Sequence, residues 1–124
     1  MRPTPKDRAL AFLLGEHGLR PAEAEEALAV AAPVLAEALA RLARTADHQN
    51  ARACTDAAHG LKGNLLNLGL IELAQTAEQA CAAARQGDLD PAREVARTLG
   101  LALTSLLPSS DSADGKSCAA NPTD

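Results

Sequence analysis

The run Ala58-His59-Gly60-Leu61-Lys62-Gly63-Asn64 concentrates the chemistry-bearing residues of this 124-residue chain. An imidazole offers a ring nitrogen with a free lone pair, and an ordinary pKa of about 6.5 leaves such a ring largely neutral near neutral pH. Lys62 follows three residues later, about one helical turn on, so its ammonium shares a helix face with the ring. Two glycines fall within four residues of that ring, in a chain that otherwise fills its helices with alanine. A glycine inside a helix costs about 1 kcal/mol relative to alanine, so the pair needs a reason. One reason is clearance, since Gly63 leaves the flank of His59 without a side chain. The other is a tight helix crossing at Gly63, and the sequence leaves both open. A nucleophilic nitrogen, a cation one turn away and a cleared surface suit a phosphoryl group, whose charge Lys62 offsets.

These residues need a helix that turns His59 outward. The segment from about His48 to Leu68 provides one, with an apolar stripe of Cys54, Ala57, Leu61, Leu65 and Leu68 at alternating intervals of three and four. His59 lies off that stripe, on a second one made by Thr55/Asp56, His59, Lys62/Gly63 and Leu66. Gly69 ends the helix as a C′ residue, and Asp47 is its N-cap candidate. Around it the chain reads as further helices. Pro5 to about Gly15 forms a short first one, and His17-Gly18 marks a turn. Residues 21 to about 44 follow, opened by Pro21 and carrying Leu28, Leu35, Leu39 and Leu42 at helical spacing. Pro33 inside this segment should kink the helix or divide it in two. A fourth helix spans Leu70 to about Gln86, with Leu73, Ala77, Ala80 and Ala84 inward, and Gly87-Asp88 ends it. Asp90 or Asp88 caps the last helix, which has Pro91 in its first turn and runs to Leu107. Short connections make consecutive helices antiparallel. The expected fold is all-α: an up-and-down antiparallel four-helix bundle over residues 21–107, preceded by a segment 1–20 with a short helix. Residues 108–124, rich in Ser, Asp, Gly and Pro, read as a disordered tail.

Composition narrows the function classes. Phe12 is the only aromatic residue, which disfavours strands and removes any stacking platform for single-stranded nucleic acid. The formal net charge of −4 argues against nonspecific binding to nucleic acid or acidic lipid. Three cysteines, Cys54, Cys81 and Cys118, form no CxxC pair, which fits a reducing cytoplasm better than a disulfide framework. His17, His48 and a cysteine lack the spacing of zinc ligands. The apolar run Ala9–Leu14 is too short for a membrane span or a signal-peptide core.

His59, Leu61, Lys62, Gly63 and Asn64, followed by Asn67-Leu68-Gly69, resemble the signature of the histidine-containing phosphotransfer (HPt) domains of multistep phosphorelays. The likeness extends to Ala32-Pro33-Val34-Leu35, to Asp47 before the active helix and to Gly87-Asp88 before the last one, and covers roughly residues 22–107. It implies a four-helix bundle on which a receiver domain carrying a phosphoaspartate docks. His59 takes the phosphoryl group and passes it to another receiver. The implied partners are response-regulator receivers and a hybrid histidine kinase, without nucleic acid or membrane. No cofactor of the chain's own is implied, Mg2+ being expected in the partner receiver. His59 is then the phosphoacceptor, Lys62 the charge partner and Gly63 the access residue, with Thr55, Asp56, Gly60 and Leu66 as the docking face. Two departures stand out. Asn64 occupies a position where Ser or Ala is common. Cys81, a weak hydrogen-bonding group, aligns with a Gln or Glu of the next helix that holds the imidazole in many members; Glu78 and Gln79 lie nearby in sequence.

A lone surface histidine is ordinarily a solvated bystander; the register of its neighbours sets His59 apart. Two function classes stay open: a phosphocarrier without a kinase or ATP site, and an unphosphorylated helical adaptor that binds or sequesters a receiver. A histidine-kinase dimerisation helix is disfavoured, because Gly60-Leu61-Lys62-Gly63 lacks the acidic residue and later proline expected after its phosphoacceptor.

Overall fold

The computed structural model describes residues 4–106, and within them every regular element is α-helical. Five helices follow one another: α1 (Pro5–Glu16), α2 (Pro21–Asp47), α3 (Ala51–Asn67), α4 (Ile71–Arg85) and α5 (Asp90–Ala102). The expected tail at 108–124 lies outside the described residues. Helix α3 packs on α2 and α4, and α5 packs on α4 and closes back onto α2. The result is the four-helix ring expected from the short connections, with α1 leaning on α2 at the end where that helix begins. No helix among the described residues is long and apolar enough to cross a membrane.

The core is built almost entirely from Leu and Ala. Leu35, Leu42, Leu61, Leu65, Leu70, Leu99 and Leu103 are fully buried, while α4 contributes mainly Ala74, Ala77, Ala80 and Ala84. Small residues on α4 let its backbone lie close to α3. Leu73, expected inward, is only half-buried, and Cys81 takes a core place instead.

Several boundaries differ from the sequence expectation. Pro33 does not divide α2, which runs unbroken for 27 residues. The proline forfeits one hydrogen bond to the Ala29 carbonyl. It sits on the exposed side, and buried Ala32 and Leu35 beside it hold both halves of the helix to one core. Asp47 is not the cap of α3. It ends α2, and its carboxylate accepts from Arg93 Nε of α5 at 3.3 Å. The cap is Asn50, whose Oδ1 accepts from the Ala53 amide at 3.1 Å. Helix α3 therefore starts at Ala51, not His48, after a turn in which Gln49 takes φ 55°. At the head of α5 the N-cap is Leu89, while Asp88 Oδ1 accepts from the Asp90 amide at 3.3 Å. Helix α5 ends at Ala102, short of Leu107, though Leu103 and Leu106 stay buried in the turn beyond it.

Gly69 matters twice over. Its φ of 73° is the left-handed conformation that closes α3. A side chain there would also run into Phe12, since an added Cβ would lie 2.3 Å from the ring. The one aromatic side chain thus pins α1 onto the α3–α4 corner.

Candidate functional site

Helix α3 is anchored by Cys54, Ala57, Ala58, Leu61 and Leu65, all buried. That inward set fixes the rotation of the helix and leaves His59 and Gly60 exposed, with Lys62 and Gly63 beside them half-buried. Leu66, one turn further on, is 44% exposed. Of the stripe read from the sequence, Asp56, His59 and Leu66 are exposed, while Thr55, Lys62 and Gly63 are half-buried.

Gly60 and Gly63 have no neighbour within 4 Å of an added Cβ. Neither glycine lies at a helix crossing, so the packing reading of Gly63 is removed. Their missing side chains leave the ridge around His59 bare.

The two flanks of that ridge differ in chemistry. Toward α2 lies a shallow hollow lined by Val34, Glu37, Arg41, Gly60 and Asn64. It continues into an apolar stretch with Val30, Ala31 and Leu68. Val30 and Val34 are exposed there, as a surface kept for contact would be. Toward α4 the flank is polar. Lys62 Nζ bonds Glu78 Oε1 at 2.9 Å, and Arg52, Thr55, Asp56 and Arg85 line the next hollow. Lys62 holds the Glu78 carboxyl below its ordinary value, first by the hydrogen bond and then by charge, with Arg85 and His59 pulling in the same direction.

Not every residue of the expected face presents its polar group outward. The Thr55 hydroxyl turns back onto the Ala51 carbonyl at 2.8 Å. The Thr55 carbonyl accepts from Cys81 Sγ at 3.6 Å. Cys81 is fully buried and also receives Arg85 Nη2 at 3.5 Å, so its thiol stitches α4 to α3 and is not directed at the imidazole. Burial pushes the neighbouring Cys54 thiol up from its usual pKa, against smaller opposing effects of Thr45 and Arg93.

Of Glu78 and Gln79, which the sequence places near Cys81 without choosing between them, the structure brings Glu78 to Lys62. Glu78 directly follows the buried Ala77 on α4, at the edge of the packed face. Its place at that edge, on the helix next in sequence to Lys62, is what sets it apart from Gln79.

The Hpt domain family model matches residues 22–109 of the chain, a span that takes in His59 and all of the four-helix ring but its first residue, Pro21. No match to a curated protein or to a solved structure was found.

Proposed function

The chain belongs to the Hpt domain family, and from that premise we propose that it is a phosphocarrier of a two-component relay, loaded on His59. Family membership implies phosphotransfer in two-component signalling; the assignment to His59 rests on one observation. The exposed histidine has a lysine on its own turn and two glycines with open space around them.

The chemistry is a double transfer. The unprotonated ring nitrogen of His59 supplies its lone pair to the phosphorus of a receiver's phosphoaspartate. An N–P bond forms while the P–O bond of the acyl phosphate breaks, and the aspartate leaves as carboxylate with that electron pair. The other ring nitrogen keeps its proton. A second receiver aspartate then reverses the step. Lys62 offsets the charge of the group in transit, and the bare surface at Gly60 and Gly63 admits the receiver's active-site loops. Val30, Val34 and Leu66 supply apolar contact beside the histidine, while Asp56 and the arginines at the α3–α4 flank set a polar rim. Any Mg2+ belongs to the receiver. The buried thiols of Cys54 and Cys81 accord with a reducing cytoplasm as the setting.

The test is to incubate the purified chain with a panel of phosphorylated receivers from its source genome. An acid-labile, alkali-stable label on His59 supports the reading. Stable receiver binding without any label would return the chain to the adaptor class.

A further inference from the structure

Lys62 is engaged in an ion pair: its ammonium lies 2.9 Å from Glu78 Oε1, with the lysine side chain 29% and the glutamate side chain 44% exposed. The glutamate comes from a different helix, so the pair spans the α3–α4 groove beside His59. A phosphoryl group on His59 brings about two negative charges into the same neighbourhood. One ammonium cannot lie against both anions at full strength, and the two anions repel each other.

We propose that Glu78 is a positioning residue that competes with the phosphoryl group for Lys62. In the unloaded chain Glu78 holds the ammonium beside the ring. On loading, Lys62 turns to the phosphoryl oxygens and Glu78 is left without its partner, facing a like charge. On discharge the ion pair re-forms. Glu78 therefore makes the loaded state less favourable and biases the chain toward handing its group on. This role rests on His59 as the phosphoacceptor. It concerns the loading equilibrium and leaves the bond-making atoms unchanged.

The surroundings single out Glu78 for this role. Cys81, one turn later on α4, is buried and bonded to the Thr55 carbonyl. Arg85 is turned toward the Cys81 sulfur at 3.5 Å. Glu37 pairs with Arg44 at 3.0 Å, and Asp56 lines the opposite hollow with Arg52 and Arg85. Glu78 is the carboxylate in contact with Lys62 itself.

The experiment loads the full-length chain with phosphoramidate, a small phosphodonor, at a fixed ratio of phosphoramidate to ammonium. The fraction of phospho-His59 at equilibrium is read by 31P NMR. Glu78→Gln should shift the ratio of loaded to unloaded chain upward by about fivefold, the size expected for one carboxylate near a dianion at a largely solvated site. Glu78→Asp, which keeps the charge, should fall back toward wild type. In a Lys62→Ala background the effect of Glu78→Gln should shrink, because part of it runs through the lysine. A second readout uses the unsubstituted protein. The 13C carboxyl titration of Glu78 should move upward when His59 is loaded, as Lys62 departs and a like charge arrives. A purely structural strut would alter melting and leave the loading ratio alone. An unchanged ratio in Glu78→Gln, or an unmoved Glu78 titration on loading, overturns the proposal while His59 loading itself stands. Absence of any label on His59 overturns both.

Discussion

Replacing Gly63 by alanine adds one methyl group to a helix face where nothing lies within 4 Å of it. The substitution therefore carries no overpacking cost, and helix propensity decides its sign. Alanine is favoured over glycine by about 0.8–1.0 kcal/mol inside a helix, and Gly63 lies inside α3, short of the fraying end at Asn67. Gly63→Ala should thus stabilise the fold by about 1 kcal/mol. For a domain of this size that is a rise in Tm of about 4–8 °C. In urea, with a slope of about 1.5 kcal/mol/M, it is a midpoint shift of about 0.6 M. The same reasoning applies to Gly60; because the two sites are neighbours one turn apart, the double variant should gain about 1–2 kcal/mol. The chain has no Trp or Tyr, so far-UV circular dichroism is the natural probe. The functional arm is Gly63→Leu. Its side chain leans back over the preceding turn, toward His59, and should block phosphotransfer while the helix stays intact. A Gly63→Ala variant that melts lower than wild type would refute the open-surface argument. A Gly63→Leu variant with full transfer would refute the access argument.

His59→Gln should abolish labelling by any phosphorylated receiver while leaving the Tm within experimental scatter, because the ring is exposed; residual label in that variant would point to another acceptor. Lys62→Ala should slow transfer without weakening receiver binding, which single-turnover kinetics alongside a titration of the complex will separate. Gly69→Ala should destabilise the fold by about 2–3 kcal/mol, combining a left-handed backbone with a clash against Phe12. Adding Phe12→Ala should bring no further full-sized loss, since part of the clash is then relieved. The Lys62–Glu78 pair also has a pH signature. The Glu78 carboxyl titrates below its ordinary 4.5, so its stabilisation is complete above that value and is lost as the pH falls through the lowered one. The stability gap between wild type and Glu78→Gln should hold steady from about pH 6 to 8 and close on acidification from about pH 5 to 3.

The rotation of α3 was legible because its stripe is strongly periodic: Cys54, Ala57, Leu61, Leu65 and Leu68 are all buried, and this alone puts His59 outside. The helix starts were less legible. Asp47 and Asn50 are both good caps, and only the turn through Gln49, a non-glycine residue at positive φ, assigns the role to Asn50. At Pro33 the sequence left a kink or a division open, and the unbroken α2 removes the division. Propensity counts the lost hydrogen bond but not the burial of Ala32 and Leu35 on either side, which outweighs it. The Lys62–Glu78 pair depends on how α4 is turned against α3. Glu78 and Gln79 differ by one residue, about 100° of helix rotation, and composition does not choose between them. That choice comes from Ala74, Ala77 and Cys81 being drawn into the core, a tertiary outcome.

His59 is carried in the body of a helix whose other side is locked into the core at Ala57, Ala58, Leu61 and Leu65. Such a histidine cannot swing from one partner to another as a residue on a long arm could. For a carrier this makes donor and acceptor rivals for one berth. Under the proposed relay each would have to leave before the next arrives, and the expected signature is double-displacement kinetics, with parallel lines in reciprocal plots against the two partners. A surplus of either idle receiver then acts as a brake. In such a relay the flow of signal would be set by the stoichiometry of the three proteins and by how quickly each complex comes apart, as much as by the reactivity of the imidazole.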